Sequence, residues 1–159
     1  MSARSGIAKA FSEGIATALN GTGIYVNNIY GNTTNKVVHF DSITEFPSVS
    51  ITPGPEKRED MPSNFSWSNL TMYVRIYVEN AEDAQGELES LITDIENFVD
   101  LNLQISYNVI TPTGTEARNT VTNSIVGIST DEGLLDPNAL GEIVLDIQYE
   151  KIRQHIKEI

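Results

Sequence analysis

Two histidines, 22 carboxylates and no cysteine are what this chain of 159 residues offers to chemistry. His39 stands close in sequence to Asp41 and Glu45, which would make a metal cluster, and Asp131-Glu132 would make a second acidic group. Metal ligation and paired-carboxylate hydrolysis need groups at defined separations, and neither spacing stands out among so many acids. Both histidines read as structural: His39 sits in the strand-like run Val37-Val38-His39-Phe40, and His155 in a polar C-terminal tail. Without cysteine there is no disulfide, zinc-thiolate site or cysteine nucleophile. No Gly-rich loop ends in Gly-Lys-Ser/Thr, Gly21-Thr22-Gly23 lacks the third glycine of a dinucleotide loop, and no Gly-x-Ser-x-Gly elbow occurs. The expectation is a protein without catalytic, metal-binding or cofactor-binding residues. A small enzyme or ligand-binding domain remains the rival class, and it requires a concave pocket with converging polar groups.

Residues that bind other proteins are better represented. Trp67, Tyr73 and Tyr77, with Arg75 between the tyrosines, are the types that carry energy at interfaces. They fall on or near the polar face of an alternating strand. Either that face meets another subunit, or helices cover both faces of the sheet. A second candidate contact is the segment 53–64 (PGPEKREDMPSN), with three prolines and the charged run Glu56, Lys57, Arg58, Glu59, Asp60. It has no apolar period, so it is expected to be neither strand nor helix but a long projecting loop, mobile until something binds it.

The elements that must position these residues follow from periodicity. Leu70, Met72, Val74, Ile76 and Val78 alternate with Thr71, Tyr73, Arg75 and Tyr77, which predicts a strand with one buried side. The period then lengthens: Leu88, Leu91, Ile92, Ile95, Phe98 and Val99 recur at three and four, predicting a helix from about Ala81 with Asn80 as its cap. Its other face carries eight acids between Glu79 and Asp100 and no base, in a chain of net charge −12. Ile7, Ala8, Ala10, Phe11, Ile15, Ala18 and Leu19 predict a first helix, capped by Ser5 and stopped at Asn20-Gly21. Gly14 weakens it, so it must dock on a sheet or a neighbouring subunit. Residues 23–29 and 36–40 read as a hairpin, and further strands are expected at 47–52, 101–110, 120–129 and 143–149. Helices and short antiparallel-style connections together predict one α+β domain over 1–159, a mainly antiparallel sheet with two principal helices packed against it.

The acidic balance argues against a sequence-reading nucleic-acid binder, whose affinity comes largely from Lys and Arg neutralising phosphate. No stretch approaches the ~20 apolar residues that cross a bilayer. Ser5, Ser12, Glu13 and Gly14 interrupt the N-terminal apolar run, so no signal peptide is read there and the chain is expected to act in a cytoplasm, away from membranes.

In the order of its elements the chain resembles the tail terminator proteins of long-tailed bacteriophages. The resemblance is carried by the first helix, the hairpin after it, the Tyr73-Val74-Arg75-Ile76-Tyr77 strand, the amphipathic helix that follows directly from Ala81 and the late strand Gly141-Glu142-Ile143-Val144-Leu145-Asp146-Ile147-Gln148-Tyr149. It implies an α+β subunit of a hexameric ring in the virion, assembled in the host cytoplasm. Such a ring stops the tail tube at its head-proximal end and offers a surface to a head-completion or neck protein; another neck or tail-completion role is the nearest alternative. The family is not enzymatic. If DNA passes through such a ring without specific binding, an acid-lined passage would keep phosphate from sticking, and Glu82, Glu89 and Glu96 are the candidates to face it. The plainer alternative is a solvated helix face.

Overall fold

The computed structural model describes residues 2–152; His155 lies outside them. The Ser2 hydroxyl accepts a hydrogen bond from the Ser5 N–H and starts helix α1 (Ala3–Ala18), one turn earlier than a Ser5 cap would. α1 buries Ile7, Phe11 and Ile15. At Gly14 a β-carbon would stand 2.8 Å from the Phe98 ring, so the glycine permits the close approach of the two helices.

The chain between α1 and the sheet forms no hairpin. Gly21, Gly23, Tyr30 and Gly31 all take positive φ. That breaks any extended run there, and only β1 (Thr33–Thr34) emerges, parallel to β2. Residues 36–40 are likewise not a strand. Phe40 begins a single 3-10 turn, Phe40–Ser42, and lays its ring 5.8 Å from that of Tyr77.

The main hairpin is longer than alternation indicated. β2 (Ser48–Asp60) and β3 (Phe65–Glu79) pair antiparallel from Ser48↔Tyr77 to Asp60↔Ser66. The segment 53–64 is therefore mostly strand, which corrects the expectation of a loop. One surplus residue at Gly54-Pro55 makes a bulge between Pro53↔Met72 and Glu56↔Leu70, and the bulge accommodates proline where a regular ladder would not. Beyond it the outer strand is largely exposed, so its charged residues need no apolar period to pair with β3.

Asn80 does not cap the second helix. Its side-chain oxygen accepts from the Glu82 and Asp83 N–H groups, and Asp83 in turn accepts from Gly86 N–H to start α2 (Ala84–Leu101). α2 buries Leu88, Leu91, Ile92, Ile95, Phe98 and Val99 as expected. Because it runs through Leu101, the next strand begins only at β4 (Ser106–Thr111). β4 pairs with β5 (Gly114–Asn119), a polar strand that apolar alternation could not reveal. β6 (Thr122–Thr130) and β7 (Asn138–Ile152) complete the structure.

The larger sheet has the order β1-β2-β3-β7-β6, all antiparallel except β1 against β2. The result is an α+β fold. One apolar core joins both helices to the same sheet face, through Val49, Ile51, Leu70, Met72, Val74, Ile76, Ile143, Leu145 and Ile147. Helices do not cover both faces. Among the described residues the opposite face carries the 3-10 turn near Tyr77 and, over β2, the backbone at Lys36, whose carbonyl accepts from the buried Ser50 hydroxyl at 2.9 Å; the rest of it has no helix above it.

Candidate functional site

Alternation along β3 sends every odd residue from Phe65 to Tyr77 to the open face, and the flanking strands supply their partners. Arg75 lies beside Glu142 of β7 and donates from Nε to its carboxylate at 2.9 Å. The same guanidinium lies 5.0 Å from the centre of the Tyr73 ring, so it is held by both neighbours. Trp67 packs edge-on against Phe65, with ring centres 5.4 Å apart. Trp67, Tyr73 and Arg75 all remain half-buried, with no helix among the described residues above them. Tyr77 is different: Phe40 covers it, it is 5% exposed, and burial raises its phenol pKa above the ordinary range. The sequence groups it with the other three, and the structure removes it from the accessible row.

The five charged residues of the arm divide between the two faces. The bulge turns Glu56, Arg58 and Asp60 to the helix side and leaves Lys57 and Glu59 on the open side. Arg58 donates to Asp60 at 2.9 Å. Glu56 is the anchor of the arm. It accepts from the Tyr149 hydroxyl at 2.7 Å and from Arg4 at 3.5 Å, while Arg4 also donates to the Gly54 carbonyl at 2.6 Å. Burial, with the hydrogen bond to Glu56 and its charge, pushes the Tyr149 phenol well above its ordinary pKa, so it stays a donor. Under the arm lies a cleft of about 890 Å3 lined by Arg4, Glu56, Arg118 and Tyr149 among others. Tyr149→Phe should cost about 1–2 kcal/mol by removing this donor. Amide exchange should quicken across residues 56–60, and unchanged exchange there would show that the ladder to β3 and Arg4 hold the arm without Tyr149.

On α2 the acids are not one solvated face. Asp83 is the cap and Glu87 accepts from Asn80. Asp94 is 2% exposed. Its oxygens accept from Val26 N–H at 3.1 Å, Asn27 N–H at 2.8 Å and the Asn27 amide at 2.8 Å. This corrects the reading of Asp94 as an outer acid: it clamps the 20–31 loop. Glu82 is exposed in the turn before the helix, Glu89 is exposed and Glu96 is half-buried on it.

Among the described residues no three His, Asp or Glu side chains come together as metal ligands, so His39, Asp41 and Glu45 do not form a cluster. Sequence reasoning missed Arg4, Asp94, Glu142 and Tyr149. Only Glu142 and Tyr149 had a signal, their positions on a strand recognised as alternating.

Three comparisons bear on what such a subunit is. The family described as Bacteriophage Tail Tube Terminator Protein matches residues 1–158. The chain is 33% identical over 160 residues to tail tube terminator protein p142 of Escherichia phage T5, with 99% of each covered. A chain in the solved virion of a native gene transfer agent particle shares its fold, with a TM-score of 0.55 at 9% identity over 91% of this chain and 98% of that one. A family match over nearly the whole length, joined to an open sheet face and a braced arm, places this chain among the bacteriophage tail tube terminator proteins.

Proposed function

We propose that this chain is a structural virion subunit that ends the tail tube, built as a hexameric ring at the head-proximal end of the tail. A neck or head-completion protein docks on the side away from the tube, and assembly takes place in the host cytoplasm. Membership of the terminator family carries this reading. The open face adds physical support: Trp67, Tyr73 and Arg75 are prearranged by Phe65 and Glu142 and meet no helix among the described residues. The arm, with Glu56 and Arg58 on one side and Lys57 and Glu59 on the other, supplies a second contact toward the tube or the neck. A ring of this kind acts by binding and blocking, so no residue is assigned a catalytic or cofactor-binding role.

Phage made without the chain should carry tubes that overrun their normal length, seen by electron microscopy, and supplying the chain in trans should restore it. Tubes of correct length that fail to join heads would instead favour the neck role. Normal, infective tails without the chain would overturn both.

Packaged DNA passes through the ring without specific binding, and Glu82, Glu89 and Glu96 face the passage. Replacing all three by lysine should shift stability by less than about 0.5 kcal/mol per exposed site while slowing DNA ejection. Dye-monitored ejection at the normal rate would move the lumen to another surface.

A further inference from the structure

In a chain of net charge −12, residues 20–35 and 119–130 contain no charged residue at all. Both expose large apolar side chains. Ile24 is 68% and Tyr30 74% exposed on the first; Val126 is 66% and Ile128 43% exposed on the second. The first is no slack loop. Asp94 clamps it, Ile29 is wholly buried and donates its N–H to the Leu19 carbonyl at 3.0 Å, and Asn20 bridges to Asn28. It is therefore held in a shape that turns apolar side chains outward.

The second stretch contains β6, the last strand of the larger sheet. At its start the Asn123 N–H is taken by the Leu103 carbonyl; past that point its outer edge has no strand partner among the described residues. Proteins ordinarily guard such an edge with lysine, proline or charge, and β6 has none of these. The other long edge, β2 along the arm, has two prolines and five charged residues. Leu134, though 87% exposed, sits among Asp131, Glu132 and Asp136 and does not share this neutrality.

The two neutral surfaces lie on opposite sides of the subunit. The 20–31 loop leads into β1 at one margin of the sheet, and β6 is the other margin. On α2, Ser90 and Asp94 reach the loop while Gln85 reaches Asp131 just past β6, and helical spacing sets these on opposite flanks.

We infer that these surfaces are the two halves of one contact between copies of this chain, the 20–31 loop of one copy seated against β6 of the next. The inference rests on the ring reading above. Copies this acidic repel one another, so surfaces that lack acids on both sides meet the least resistance to close approach. Two different surfaces on opposite margins pair head to tail, which closes a ring, whereas a single self-complementary surface would stop at a twofold dimer.

Ile24→Lys and Val126→Lys test it. Each replaces an exposed side chain, and each lowers the net negative charge, so general repulsion falls and any lost assembly reports the contact itself. Melting should match the unaltered chain. By sedimentation, alone and with isolated tail tubes, the unaltered chain should form multimers, and each variant should need at least about a hundredfold more protein to do so. An equimolar mixture of the two variants should give dimers and nothing larger, because one intact pair of surfaces remains. Assembly of either variant like the unaltered chain would overturn the contact and leave the ring reading standing. Absence of dimers from the mixture would overturn the head-to-tail pairing. An unaltered chain that stays monomeric both alone and on tubes would remove the ring reading and this contact with it.

Discussion

Phe11→Ala should destabilise the subunit by about 3–5 kcal/mol in urea denaturation, the range for emptying a buried aromatic site. Phe11 is fully buried, and its ring meets that of Phe98 edge to face at 6.3 Å. It is the point where α1, a helix interrupted by Gly14 and poor in isolation, locks onto α2. The chain has no cysteine, so no disulfide shares the load. Leu91→Ala and Ile95→Ala on α2, both fully buried, should cost about 2–5 kcal/mol each. A loss below about 1 kcal/mol for Phe11→Ala would mean that the core closes over the vacancy or that α1 contributes little to folding.

Asp94→Ala should cost about 3 kcal/mol, because three donors that now meet a buried carboxylate lose it together. Asp94→Asn should recover less than half, since the amide brings a donor to a place that holds only donors. Amide exchange at Val26 and Asn27 should quicken in both variants. Assembly should weaken beyond the loss in stability, because a loosened loop no longer holds Ile24 and Tyr30 outward. Unchanged exchange at Val26 would show that Ile29 and the Asn20–Asn28 bridge hold the loop without Asp94.

The parts legible in the sequence are those where burial is one-sided and continuous. Leu70 to Val78 and Leu88 to Val99 write their periods plainly, because each presents a single stripe to one core. The arm was illegible for the opposite reason. Its outer strand is exposed, so no stripe marks it, and its strand character comes from the edge offered by Phe65 to Leu70 some ten residues away. The 20–31 loop misled differently: Ile24, Val26 and Ile29 resemble a strand, but a carboxylate 67 residues along the chain takes the N–H that a ladder would use. Of the proposed interface residues, Trp67, Tyr73 and Arg75 share the open face that alternation predicts, whereas Tyr77 is covered by Phe40, whose packing no local pattern announces.

The bulge at Gly54-Pro55 makes the arm's orientation a matter of counting. Were the ladder to run regularly past Pro53, Glu56 would fall opposite Asn69 and stand among the aromatics, out of reach of the Tyr149 hydroxyl. Losing Pro55 alone would erase only the surplus residue, leaving Glu56 opposite Leu70 and every charge facing as it does now. Losing Lys57 instead would turn Arg58, Glu59 and Asp60 over together, exchanging the two chemical faces of the arm without changing one side chain. Identity of residues gives the arm its charges, but parity decides which neighbour meets them.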